Sequence, residues 1–191
     1  MANILQFLMT MIPYMLMIIP AFLIIRFIIL RRKNIIKKIN FKHEVVFLLF
    51  AAFISGLASL TVLPSSDSGK LLINDIYKLN IIPFHTIIQQ FASGDFNMLL
   101  INIVGNIVMF IPFGYCPALL WHGFTPANAI MTGFCTSLFI ETTQFFIGRS
   151  SDIDDLILNT LGAALGYLLY VLSQKINPNY AEKFKLHIFP V

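Results

Sequence analysis

The chain alternates between long apolar segments and short polar ones. Five apolar segments cover roughly residues 4–30, 45–63, 99–120, 127–146 and 156–172. About 20 predominantly apolar residues in a helix are enough to cross the hydrocarbon core of a bilayer. The pattern therefore predicts an all-α, polytopic integral membrane protein, a helical bundle with about five transmembrane helices in a single domain over residues 1–191.

One apolar stretch between the second and third predicted helices is too short to cross. It is NIIPFHTIIQQF, residues 80–91, within a predicted loop over residues 64–98. Pro83 interrupts any helix through it, because proline lacks the backbone N–H and clashes with the preceding turn. Irregular backbone at membrane depth is tolerated where it packs against protein. The stretch therefore predicts an interfacial or re-entrant segment packed on the bundle.

The basic residues are concentrated after the first apolar segment. Seven of the thirteen Lys and Arg residues lie between Arg26 and Lys42. Because Lys and Arg accumulate in cytoplasmic loops, this loop is predicted to be cytoplasmic. The N-terminus and the 64–98 loop are then outside, and the C-terminus is cytoplasmic. A basic run beside an apolar helix is typical of contact with anionic membrane lipids, and this distribution argues against nucleic-acid binding.

The overall composition supports the membrane class and offers no cofactor site. The chain is 58% hydrophobic and 12% charged, against about 45–50% and about 25% in soluble domains. Cys116 and Cys135 fall inside apolar segments, without the Cys and His spacing of a zinc site. We expect small packing side chains at both positions, with no disulfide, no metal site and no bound cofactor.

A set of polar residues departs from the apolar pattern near the predicted outer ends of three helices. Glu141 and Gln144 are three residues apart and share a face of the fourth helix. From Asp152 to Gly166, polar or small residues recur at spacings of three and four and form one helical stripe. Within this stripe Gly162 and Gly166 predict close approach of a neighbouring helix. The residues predicted to form a common binding site are Glu141, Gln144, Arg149, Asp152, Asp155, Asn159, Asn102 and Asn106.

Two interpretations of this polar set remain open. In the first, it lines a ligand site, since a charged residue in a span costs about 2.5–3.5 kcal/mol on insertion scales and normally faces a bundle interior or a water-filled cavity. Arg149 is then expected to pair with Glu141, Asp152 or Asp155. In the second, the polar groups only join helices, with Asp152 or Asp154 as the cap of the fifth helix and Asp155 in its first turn.

Three stretches of the chain resemble the VanZ-like family of bacterial membrane proteins. They are NIIPFHTI, NIVGNIVMFIPFG and IETTQFFIGRSSDIDDLILNTLGAALGYLLY, and their order and spacing agree with the family over residues 80–170. The combination of I-E-x-x-Q, R-x-x-D-x-x-D and N-x-x-G-x-x-x-G is specific. The positions that match the family pattern are Asn80, Pro83, Phe84, Asn102, Asn106, Pro112, Phe113, Gly114, Glu141, Gln144, Arg149, Asp152, Asp155, Asn159, Gly162 and Gly166.

The resemblance implies a function at the bacterial cell envelope. The best-known member of the family contributes low-level resistance to glycopeptide antibiotics, teicoplanin in particular, without altered peptidoglycan precursors. We therefore expect a multi-pass protein of the bacterial cytoplasmic (plasma) membrane that acts non-enzymatically through an outward-facing polar site. Its expected partners are membrane lipids and either a lipoglycopeptide antibiotic or a lipid-linked cell-wall precursor.

Two other functions remain open at this point. A membrane-embedded enzyme that modifies a lipid head group or cell-wall component would use Glu141 or Asp155 as general acid or base. Arg149 would hold an anionic group, and Asp152 would orient a partner. An ion-coupled carrier is less favoured, because five spans without a visible repeat lack the paired halves of many carriers. A homo-oligomer would supply the second half.

Overall fold

The computed structural model describes residues 2–32, 39–62, 79–94 and 96–185. Residues 64–78 of the predicted outer loop, the preceding residue 63 and residues 33–38 of the basic loop lie outside the described residues. The fold does not distinguish the two sides of the membrane, so the orientation of the termini stays a prediction.

Long helices make up most of the described chain. Their bounds are α1 Ala2–Arg32, α2 Phe41–Thr61, α3 His85–Ala92, α4 Phe96–Leu120, α5 Pro126–Phe146 and α6 Ile153–Ile176. Two short strands, β1 Leu79–Asn80 and β2 Ser151–Asp152, and a 3-10 helix at Ala181–Lys183 are also present. The prediction of an all-α membrane bundle is confirmed. Long helices lie at all five predicted apolar segments, with ends shifted by up to four residues.

Four helices in the described ranges are long and apolar enough to cross a bilayer. They are Met9–Arg32 within α1, and α2, α4 and α6 over their full lengths. Helix α5 has 21 residues but carries Glu141 and Gln144 near its end, and it is not among the four. The fifth crossing therefore stays a prediction.

Helices α4 and α6 run parallel in close contact. A methyl group at Gly162 would lie 2.9 Å from the Cβ of Phe110, and one at Gly166 would lie 2.9 Å from the carbonyl carbon of Ile111. On α4, a methyl group at Gly114 would lie 2.9 Å from a backbone atom of α6. The expectation that the glycine pair permits close helix approach is confirmed, since only residues without a side chain fit at these three points.

Helix α5 lies antiparallel against α6. Asn159 meets Ser137, and farther along α6 Ala163 meets Gly133. Short turns join α5 to α4 before it and to α6 after it. A helix of this length, antiparallel to two neighbouring spans, is oriented as a crossing helix would be. The buried apolar core of the bundle contains Phe50, Leu57, Phe110, Phe113, Ile140 and Ala163.

A polar contact joins α1 to α2 near the basic loop. Arg26 donates to both carboxylate oxygens of Glu44, at 2.7 and 2.8 Å, and its guanidinium lies 5.2 Å from the ring centre of Phe47. The residue before Glu44 is His43, whose buried ring forms a hydrogen bond through Nδ1 with the carbonyl of Phe184 at 2.8 Å. These contacts fix the ends of α1, α2 and the C-terminal segment relative to one another.

A two-residue parallel strand pair lies at the opposite end of the bundle. Leu79 pairs with Ser151 and Asn80 with Asp152. The sequence analysis did not predict this pairing. It holds the beginning of the 79–94 segment against the turn between α5 and α6, and α3 then packs beside α4 and α6.

Candidate functional site

The turn between α5 and α6 is organised around the Glu141 carboxylate. Glu141 is buried, and its Oε2 accepts a hydrogen bond from the backbone N–H of Asp152 at 2.7 Å. The Ser151 hydroxyl donates to the same carboxylate. Gly148 has a φ of 74°, a left-handed conformation that glycine adopts without steric cost and that reverses the chain here. Glu141 therefore fixes the geometry of the turn that carries the neighbouring acids.

Asp152 is the N-cap of α6. Its backbone is extended, and its Oδ1 accepts from the backbone N–H of Asp154 at 2.9 Å. The same oxygen accepts from the Asn80 side chain at 2.8 Å. Such a carboxylate satisfies one of the free N–H groups at a helix start. Of the two residues considered as caps of this helix, Asp152 is the one that caps it.

Asp154 caps a different helix. Its side chain is completely buried and accepts hydrogen bonds from the backbone N–H groups of Phe84, Thr86 (3.0 Å) and Ile87 (3.3 Å). These donors lie at the start of α3, where helical N–H groups lack partners and where the helix dipole favours a negative charge. The sequence analysis left Asp154 out of the site, because an acid in a first turn is explained by its own helix alone.

Asp155 takes part in a chain of amide side chains that crosses three helices. The Asn106 amide donates to Oδ1 of Asp155 at 2.6 Å and to Oδ1 of Asn102 at 3.0 Å. Asn102 in turn donates to Oε1 of Gln90 at 3.3 Å. This chain connects α6 to α4 and α4 to α3. Gln90 was not predicted, and the sequence holds no signal for it beyond its place in the short apolar stretch.

Asn159 lies one helical turn deeper than Asp155. It is buried, and its amide nitrogen donates to the Ser137 hydroxyl at 2.9 Å. Its side-chain oxygen is buried without a hydrogen-bond donor among the described residues. Asn159 and Ser137 thus form a second polar layer between α5 and α6, beneath the carboxylates.

Arg149 has surroundings that differ from the expectation, and Gln144 lies beside it in the last turn of α5. Arg149 does not pair with the carboxylates of the site; its guanidinium donates to the carbonyls of Leu60 (2.8 Å) and Thr61 (3.4 Å) at the end of α2. The expected ion pair with Glu141, Asp152 or Asp155 is wrong. The physical reason is that the last carbonyls of a helix lack partners and carry partial negative charge, so they attract a cation. Gln144 is buried, and its backbone carbonyl accepts from the Arg149 N–H at 2.8 Å.

Three carboxylates lie close together: Glu141 on α5, and Asp152 and Asp155 at the start of α6. Asp155 is near enough to Glu141 and to Asp152 to interact electrostatically with both. Within the described ranges, no three His, Cys, Asp or Glu side chains have an arrangement that could hold a metal ion. The arrangement offers closely spaced hydrogen-bond acceptors of one charge sign. It is chemically suited to a ligand with cationic or hydrogen-bond-donating groups.

A comparison with known sequence families shows the family of the chain. The sequence profile of the VanZ/LLP1 family matches residues 50–174. The chain belongs to this family. The matched region begins in α2, ends in α6 and contains every residue predicted for the site.

Two relatives illustrate the relationship. Protein VanZ of Enterococcus faecium is 37% identical over 100 residues, which covers 51% of this chain and 55% of that protein. The uncharacterized membrane protein YwnJ of Bacillus subtilis (strain 168) is 29% identical over 131 residues, which covers 65% of this chain and 90% of that protein. The matched part therefore spans about half the length of VanZ. No solved structure matches the chain.

Together, the apolar helices and these relatives define the setting of the protein. It is a multi-pass membrane protein of the VanZ/LLP1 family in the bacterial cell membrane.

Proposed function

We propose that this VanZ-family protein alters susceptibility to glycopeptide antibiotics of the teicoplanin type. It acts without catalysis, through the polar site at the outer face of the cytoplasmic membrane. The observation that carries the proposal is the junction of α4 and α6, where the Asp155 carboxylate accepts from the Asn106 amide beside Glu141, and the same amide donates to Asn102. Polar groups this expensive to place in a bundle normally serve a ligand or a pathway.

The ligand class follows from the chemistry of the site. Carboxylate and amide oxygens accept hydrogen bonds, so they favour amines, amides and hydroxyl groups over phosphates. A lipoglycopeptide antibiotic and a lipid-linked cell-wall precursor both present such groups beside an apolar anchor. Binding of either at the membrane surface would change how much antibiotic reaches its target, with membrane lipids as the surrounding partners.

Antibiotic susceptibility in a sensitive host tests the proposal. The wild-type protein should raise the inhibitory concentration of teicoplanin above that of a host carrying the empty vector. Asp155→Asn keeps the side-chain shape but removes the charge, and it should abolish the increase. Thr142→Val is the matched control, because its exposed hydroxyl bonds only within its own helix, to the carbonyl of Leu138. An unchanged inhibitory concentration with wild-type protein correctly inserted in the membrane would refute the proposal.

A membrane enzyme is the second candidate function, and one observation favours it. Glu141 and Asp155 form an interacting pair of carboxylates on neighbouring helices, and such pairs are used for general acid and base catalysis. The contacts of Arg149 with α2 offer no support for its suggested role in holding an anionic group. Lipid and peptidoglycan profiles of strains with wild-type protein, Glu141→Gln and Asp155→Asn decide the matter. Identical profiles in all strains would exclude the enzyme.

A further inference from the structure

Helix α3 presents three edges with different chemistry. Thr86, Ile87 and Gln90 are partly buried against the bundle. His85 and Gln89 are exposed one turn apart, and their side-chain nitrogens lie 3.2 Å from each other. The third edge is apolar and also exposed, and it is formed by Phe84, Ile88 and Phe91. A short helix with one edge on protein, one polar edge and one apolar edge has the pattern of a helix lying in a membrane interface.

The apolar edge consists of large side chains. Ile88 is 63% exposed and Phe91 is 62% exposed, and they share a face because they are three residues apart. Phe84, at the start of the helix, is 53% exposed, and Ile81 and Ile82 in the preceding turn are more exposed still. Such a patch of apolar surface is not left in water without a partner.

The patch is continuous with the lipid-facing surface of a membrane span. The Phe91 ring packs edge to face on Phe96, the first residue of α4, with ring centres 5.6 Å apart. From there the exposed apolar side chains Met98, Leu100 and Ile101 continue along α4, which is long and apolar enough to cross the bilayer. The acyl chains that surround α4 are therefore the natural partner of the α3 patch.

Polar contacts hold residues 79–92 against the helical bundle. An isolated helix of eight residues is not stable in water. Asp154 satisfies the free N–H groups at the start of α3, and Gln90 joins its far half to Asn102. The β1–β2 pairing fixes the chain that leads into it. The bundle thus supplies the stabilisation that the short helix lacks.

We propose that residues 79–92 form an interfacial strap. Its apolar edge contacts the upper acyl chains of the lipid bilayer, and its polar edge remains in water beside the Asp155 site. The strap is a lipid-contacting surface in its own right, and this inference does not depend on the proposed antibiotic function. Its consequence is that Asp155 lies at the depth of the lipid head groups, where the polar part of an amphiphile is found.

Fluorescence quenching in lipid vesicles tests the strap. Trp121 is the single tryptophan, so Trp121→Phe gives a background into which Ile88→Trp or Gln89→Trp is introduced. The full-length protein is reconstituted in phosphatidylcholine and phosphatidylglycerol vesicles containing lipids brominated near the head group or near the chain end. Ile88→Trp should be quenched at least twofold more strongly by the shallow brominated lipid than Gln89→Trp. Aqueous iodide should show the reverse preference.

Three results would overturn the strap. Equal iodide quenching of the two variants would place the apolar edge in water. Stronger quenching by the deep brominated lipid would make the segment re-entrant. A lack of quenching of Ile88→Trp by either agent would mean that protein, such as a second copy of the chain, covers the patch. Phe91→Trp, an aromatic exchange on the same edge, repeats the test where Ile88→Trp disturbs folding.

Discussion

A methyl group added at Gly166 is expected to force α4 and α6 apart. The new carbon would lie 2.9 Å from the carbonyl carbon of Ile111 and closer still to its oxygen, whereas carbon atoms pack at about 3.5–4.0 Å. The helices would have to separate by at least about half an ångström. Overpacking of this kind costs about 1–3 kcal/mol, and the obstacle is backbone that cannot rotate away. Helix propensity offsets up to about 1 kcal/mol of this cost, so Gly166→Ala should lose up to about 2 kcal/mol of unfolding free energy.

Gly105 provides the matched control for this prediction. It lies on α4, and a methyl group added there would meet nothing within 4 Å. Gly105→Ala should therefore keep the propensity gain and unfold at equal or higher denaturant concentration than the wild type. Unfolding by sodium dodecyl sulfate in mixed micelles, followed by circular dichroism and by the fluorescence of Trp121, measures both variants. A Gly166→Ala protein as stable as Gly105→Ala would refute the close contact between α4 and α6.

Three further variants test the polar contacts. Asp154→Ala removes the acceptor of three backbone N–H groups. The unfolding free energy should fall by about 2–4 kcal/mol, and residues 79–92 should become accessible to limited proteolysis. An unchanged cleavage rate would contradict the capping role of Asp154. Arg149→Gln should lower the unfolding free energy by about 1.5–3 kcal/mol, because the α2 carbonyls lose a charged donor. If this variant kept normal stability but lost antibiotic protection, Arg149 would instead contact the ligand. A double-mutant cycle of Arg26→Gln and Glu44→Gln should give a coupling of about 1–2 kcal/mol, reflecting the bidentate, half-buried pair, and additive effects would argue against it.

The helices could be predicted from the sequence because a single strong signal defines them. The length of each apolar run places α1, α2, α4, α5 and α6 to within a few residues. The β1–β2 pair could not be predicted, since two strands of two residues carry no periodicity and their partners are 72 residues apart. Pro83 did mark an irregular segment, and α3 begins two residues after it.

The candidate site could be predicted only in part. Helical spacing predicts Asp155 and Asn106 one at a time, each on the polar face of its own helix. Their 2.6 Å contact could not be predicted in this way, because it depends on the close packing of α4 and α6. Arg149 shows the opposite case. Its nearest acids in sequence suggested an ion pair, whereas the fold places the end of α2 beside it, and unpaired helix carbonyls are invisible in a sequence.

The four acidic residues of the polar cluster, Glu141, Asp152, Asp154 and Asp155, differ in the hydrogen bonds that they accept. Glu141 accepts from the backbone of the turn, Asp152 caps α6 and Asp154 caps α3. Each of these three carboxylates accepts backbone N–H groups, so a role in the fold is enough to explain its burial. Asp155 differs, because its hydrogen-bond donor among the described residues is the side chain of Asn106, which no helix end requires. Two carboxylate oxygens accept about four hydrogen bonds, so Asp155 retains capacity that the fold does not use. For this reason we propose that any function of the polar cluster centres on Asp155, with the other three acids holding it in place.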